Sequence, residues 1–166
     1  MTKRAPETQM IAISCTDGSV AVMQFVTKQQ AHENDPGWSR EATAENIDAE
    51  IAKSQISAVG WRLMALGEIP QDRTFRNAWK DGTGKIDVDM PKAREIWRSR
   101  MRVVRVRRFA ILDAAYLQAD EVGNTNMKQS IAAQKQQLRD VTSHASIDAA
   151  ATPEDLKTVW PAILNE

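Results

Sequence analysis

From Asp89 to about Val122, apolar and small residues recur at Ala93, Trp97, Met101, Val104, Ile111, Ala115 and Val122 in steps of four and three, with Arg108 and Gln118 as breaks. That period predicts a long helix with a coiled-coil-like seam. Asp89 is a suitable N-cap, Pro91 lies near the start where a missing N–H is harmless, and Gly123 can take the left-handed conformation that stops a helix. At about 1.5 Å per residue the helix runs roughly 50 Å, longer than a small core needs, which predicts packing on a neighbouring helix or chain. A second helix is expected from Asn124 to Asp140, with Met127, Ile131, Gln134, Leu138 and Val141 on one stripe and Lys135 and Arg139 at exposed positions. The short Gly123-Asn124 connection folds it back as an αα-hairpin. After a helical turn at Ser146 to Ala151, Thr152-Pro153-Glu154-Asp155 reads as N-cap, proline, acid, acid. It opens a short helix that buries Leu156, Val159, Trp160 and Ile163.

The first half has a different period. Two β-rich runs between Gln9 and Thr27 flank Asp17-Gly18, a two-residue hairpin signal. Pairing Thr16 with Ser19 puts Ile11, Ile13, Cys15, Val20 and Val22 on one face and Ala12, Ser14, Ala21, Met23 and Phe25 on the other. Both faces are apolar enough to be covered. Residues 28–40 form a polar loop with Pro36-Gly37 as its turn signal. Helical spacing follows at Ala44, Ile47 and Ile51 behind Thr43 as N-cap. A third strand runs from Ser57 to Leu66, where Val59, Trp61 and Leu63 alternate with Ala58, Gly60 and Arg62.

Between these halves, Asp72, Arg73, Phe75, Arg76 and Trp79 mix charge with two large aromatics four residues apart, a spacing that puts Phe75 and Trp79 on one helical face. The group reads as a joint anchoring two subdomains. Asp81-Gly82-Thr83-Gly84 is a turn, and Ile86 and Val88 a short extended lead-in. The expected fold class is therefore α+β, a small N-terminal β-β-α-β sheet unit followed by a long-helix αα-hairpin and a short C-terminal helix. Residues 1–8 are a polar leader, 9–66 the sheet domain, 67–88 the joint and 89–166 a helical assembly domain.

Composition narrows the chemistry. Across 166 residues, 22 basic and 22 acidic side chains cancel, which argues against a global attraction to nucleic acid or anionic membrane. No apolar run approaches the roughly 18 residues of a membrane span, and MTKRAPETQ lacks the apolar core of a signal peptide, so the protein is expected to stay in the cytosol where it is made. Cys15 is the single cysteine, which excludes an intrachain disulfide and reads as a buried structural thiol. His32 next to acids, and Asp87 with Asp89, could hold a cation, but a loop residue and a turn-plus-cap pair are the commoner readings. No nucleophile has a placed base, so no catalytic, cofactor or metal residue is assigned and the expectation is a protein that is not an enzyme.

The charge is distributed unevenly: between Lys92 and Arg108 seven arginines and Lys92 face Glu95 alone. Arg94, Arg98, Arg105 and Arg108 recur near helical spacing, which would suit phosphate contacts. Against this, Arg100, Arg102 and Arg107 lie on other faces, and Val103, Val104 and Val106 demand burial. Nucleic acid is therefore a lower-ranked partner.

DGSVAVMQF (Asp17 to Phe25), IPQDRTFRNAW (Ile69 to Trp79), IDVDMPKAREI (Ile86 to Ile96) and QKQQLRDVT followed by ATPEDLKTVWP (Gln134 to Pro161) together resemble small tail-gene-associated proteins of tailed bacteriophages and prophages. The C-terminal part is similar to the phage tail assembly chaperone-like domain. The resemblance implies a non-enzymatic tail protein near baseplate or fibres, located in the virion tail and in host cytoplasm during assembly. The alternative is a tail or fibre assembly chaperone absent from the mature virion. Partners would be other tail, baseplate or fibre proteins, and the chain is expected to form a homo-oligomer. Trp97, Met101, Val104, Ile111, Ala115 and Val122 are the candidate interface.

Overall fold

The computed structural model describes residues 7–29 and 37–165, and the chain divides into two compact units, Met1–Asp89 and Met90–Glu166. The fold is α+β, as the two sequence periods predict.

In the first unit, strands β1 (Glu7–Cys15), β2 (Val20–Gln29), β3 (Trp38–Ser39) and β4 (Ala58–Met64) form one antiparallel sheet in the order β3-β2-β1-β4. The short β3 adds a strand that the sequence pattern did not give, and β1 starts inside the expected leader, at Glu7. His32 and Pro36 lie outside the described residues. Helix α1 (Ala44–Lys53) is capped by Thr43, whose hydroxyl accepts from the Asn46 N–H at 3.3 Å.

The β1–β2 hairpin is where periodicity misleads. Cys15 N–H donates to Ser19 O and Gly18 N–H to Cys15 O, so the loop is Thr16-Asp17-Gly18. Only Gly18 takes a positive φ, +75°, while a two-residue turn of the expected kind needs Asp17 there as well. The loop therefore holds one more residue, Ile13 pairs with Ala21 and Ala12 with Val22. A slip of one residue moves every β2 side chain to the opposite face. Ile11, Ile13 and Phe25 now pack with Ile47 and Ile51 of α1, joined by Ala21 and Met23. On the other face Ala12 and Val20 pack with Met64, Trp79 and Ile86, joined by Val22 and Val88.

Trp79 and Ile86 belong to a second hairpin, β5 (Trp79–Asp81) and β6 (Ile86–Val88), reached through a 3-10 turn at Arg76–Ala78. Its turn is closed by Gly82 N–H to Lys85 O, and a Cβ at Gly82 would stand 2.3 Å from an Asp87 carboxylate oxygen. The sheet is thus covered on one face by α1 and on the other by this hairpin.

The second unit is helical: α2 (Met90–Glu121), α3 (Thr125–Asp140), a 3-10 turn at Val141–Ser143, α4 (Ala145–Ala149), α5 (Pro153–Thr158) and a 3-10 turn at Ala162–Leu164. The α2–α3 connection has the expected chemistry. Gly123 (φ +65°) and Asn124 donate to the carbonyls of Asp120 and Ala119, closing α2, and the Asn124 side chain accepts from Met127 N–H to open α3. Thr152 and Asp155 exchange side-chain and backbone hydrogen bonds around Pro153 as a capping box.

Candidate interaction surface

The inner side of α2 is set by Ala93, Trp97, Met101, Leu112 and Ala119, all buried. Met101, Leu112 and Ala119 are spaced by whole turns of a straight helix, whereas a strict heptad seam drifts about 20° per repeat. The packed line therefore passes from Met101 to Leu112 and Ala119 in place of Ile111 and Val122, which are 56% and 77% exposed. Val104 and Ala115 are half-buried on its margin. Of the expected interface residues, Trp97 and Met101 are committed to the chain's own core. The Trp97 indole donates to Val159 O at 2.7 Å and meets Trp160 edge-on at 5.3 Å. From α3, Ile131 and Leu138 are buried and Val141 follows, while Met127 is half exposed.

The arginines run along this packed side. Arg94 donates to Ala150 O at 2.9 Å and Arg98 to Thr142 O at 3.2 Å and to Asp148 at 2.6 Å. Arg105 reaches Arg139 O and Thr142 Oγ1, and Arg108 reaches Ile163 O at 3.2 Å. Four guanidinium groups thus supply donors to carbonyls at the ends of α3, α4 and the closing turn, which no helical N–H can satisfy. A cation at a helix C-terminus is also favoured by the helix dipole. The stripe that suited phosphate is an internal clamp. The sequence carried the signal, because Arg94, Arg98, Arg105 and Arg108 share a helical face with Trp97 and Met101.

Arg102 pairs with Glu95, and the guanidinium of Arg100 lies 5.7 Å over the Trp97 ring. The Glu95 carboxyl is held below its ordinary range, chiefly by the Arg102 hydrogen bond. Lys128 and Lys135 of α3 pair with Asp120 and Asp113 of α2 and flank the Tyr116 ring. Lys135, expected as a solvated residue, is therefore part of the α2–α3 contact. His144 is exposed, its Nδ1 accepting from Ser146 N–H at 3.3 Å.

The residues expected as a joint lie in the first unit. Phe75 and Trp79 are 2% and 3% exposed, and Trp79 holds the β5–β6 hairpin against the sheet. Asp72, Arg73 and Arg76 are exposed, with Asp72 closing a local turn to Thr74 N–H at 2.7 Å. The two aromatics do not share a helical face, because the 3-10 turn ends at Ala78 and Trp79 starts a strand. Nearby, Arg62 bridges Glu68 and Asp81, and Ser14 Oγ also donates to Asp81. The Ala65 N–H first, and Arg62 second, hold the Glu68 carboxyl below its ordinary range. Cys15 is half-buried, its thiol directed at Ile13 O.

The described surface also exposes large apolar side chains. On the first unit Val59 (70%), Leu63 (49%) and Leu66 (70%) are exposed along and just beyond the edge strand β4. On the second, Val103, Val106 and Leu117 are exposed on α2, although Val103 and Val106 were expected to be buried. Among the described residues no cluster of three or more His, Cys, Asp or Glu could hold a metal ion, and no helix is long and apolar enough to cross a membrane. Comparison with protein-family models, curated proteins and solved structures finds no match.

Proposed function

We propose that this chain is a non-enzymatic tail protein of a tailed bacteriophage, built into the virion near the baseplate or fibres and working through protein–protein contacts. The observation that carries this reading is the division of labour on α2, whose inward arginines are engaged with backbone carbonyls while apolar side chains face out. Engaged arginines have little left for phosphate, and exposed Val and Leu on both units suit a protein partner. The four sequence segments that resemble tail-gene-associated proteins supply the biological setting. Deleting the gene in the parent phage tests it by negative-stain microscopy. Filled heads with missing or defective tails are expected, and particles with normal tails and normal infectivity would overturn the assignment.

A further inference from the structure

The sheet of the first unit has two unlike edges. β3, at one of them, is two residues long and leaves almost no ladder to extend. β4, at the other, runs for seven residues without Pro or Lys, and no strand among the described residues lies beyond it. The phase of its backbone follows from the β1–β2 loop. Cys15 N–H donates to Ser19 O, so Cys15, Ile13 and Ile11 turn their N–H and C=O groups to β2, while Ser14, Ala12 and Met10 turn theirs to β4. Their partners Gly60, Arg62 and Met64 answer inward, which leaves the N–H and C=O of Trp61 and Leu63 directed out of the sheet. Such a row of groups is what an extended chain recognises. The side chains beside it are apolar. Val59, the extra residue where the β1–β4 register shifts, is 70% exposed and Leu63 is 49% exposed. Arg62, the one charged residue of β4, is engaged by Glu68 and Asp81 of its own chain and does not blunt the edge.

We infer that β4 pairs with β4 of a second copy of the chain, antiparallel about a two-fold axis at Trp61. The two Trp61 residues then exchange backbone hydrogen bonds, and Leu63 of each copy lies beside Val59 of the other. Trp61 and Leu63 are the β1 partners of Ile13 and Ile11, so this pairing carries the apolar layer under α1 from one copy into the next. Arg62 falls opposite Gly60, where a Cβ would meet nothing within 4 Å. An axis at Arg62 would crowd two arginines face to face, and an axis at Gly60 would set Leu63 against Ser57. Closure favours a second copy over a foreign strand. A foreign strand would pair with β4 and present its own outer side as a new edge, whereas two β4 strands give a joined sheet that ends on the two-residue β3 at both sides. This pairing is independent of the tail assignment, since self-association is read on the purified chain alone.

Native mass spectrometry and light scattering of the full chain test it, and a dimer is expected. Val59→Lys, at an exposed position, should weaken the dimer about tenfold or more while the circular-dichroism spectrum stays unchanged. Amide hydrogen exchange followed by NMR should find the Trp61 and Leu63 N–H groups protected in the dimer and exchanging freely in the Val59→Lys monomer. In dimers mixed from isotope-labelled and unlabelled chains, filtered NOEs should join the Val59 methyls to the Leu63 methyls of the second copy. A monomeric wild type, a dimer indifferent to Val59→Lys, or a dimer whose Trp61 and Leu63 amides exchange freely would each overturn the inference. So would NOEs joining Val59 to Val59 of the second copy, or a monomer whose edge amides become protected only within assembled particles, which would give β4 to a different protein.

Discussion

Replacing Arg98 with Ala separates a structural clamp from a nucleic-acid ligand. Its guanidinium donates to Thr142 O at 3.2 Å and to Asp148 at 2.6 Å, with the side chain 20% exposed. A hydrogen bond from a cation to a partly buried carbonyl contributes about 1.5 kcal/mol at the lower end of its range. The Asp148 side chain is 67% exposed, so that ion pair adds at most about 1 kcal/mol. The loss should therefore be about 2 kcal/mol, carried by the helical unit. Urea unfolding followed by the helical circular-dichroism signal measures it, with Arg102→Ala as the reference. Arg102 pairs with Glu95 on an exposed surface, and its removal should change stability by no more than about 0.5 kcal/mol. An Arg98→Ala variant as stable as Arg102→Ala would refute the clamp.

Trp79→Ala should destabilise the sheet unit by about 3 kcal/mol or more in thermal unfolding, since the ring is 3% exposed among Ala12, Val20, Met64 and Ile86; a loss below about 1 kcal/mol would remove it from the core. Gln55 holds a φ of +58° just beyond α1, so Gln55→Gly should raise stability by roughly 0.5–1 kcal/mol, whereas Gly123→Ala, at φ +65°, should lower it by about 1 kcal/mol. The carboxyls of Glu50, through its Arg40 hydrogen bond, and of Glu68, through Ala65 N–H and then Arg62, sit below their ordinary value of 4.5 in the folded state. Their stabilisation is complete above that value and is lost as pH falls through the lower folded values. The sheet unit should accordingly weaken on acidification below about pH 4.5, with a shallower acid limb in Glu50→Gln and Glu68→Gln; identical acid limbs would contradict the ion pairs.

The α-helical half was legible because its ends carry local chemistry: Gly123 and Asn124 close and reopen the chain, and Thr152, Pro153 and Asp155 form a cap whatever packs around them. The β half was legible in its elements and not in its register. Asp17-Gly18 marks a turn, but whether two or three residues lie in it depends on the φ of Asp17, which no apolar pattern reports. The wrong count exchanges Ala21, Met23 and Phe25 for Val20 and Val22 on the α1 face. Phe75 and Trp79 were identifiable as buried anchors from size, while the packing of Trp79 with Ala12 of β1 and Met64 of β4 required long-range pairing. On α2 the heptad reading captured Trp97 and Met101 and missed Leu112, because a straight helix drifts away from a seven-residue repeat. Val103 and Val106 were visible as apolar, yet a sequence does not say whether an apolar residue is buried by its own chain or left for another.

The proposed role is that of a built-in part of a phage tail. Peptide mass spectrometry on density-purified particles of the parent phage, with copy number measured against the major tail protein, tests it most directly. The chain is expected in particles at a fixed stoichiometry. Its absence from particles while abundant in infected lysate would contradict that claim and make it an assembly chaperone.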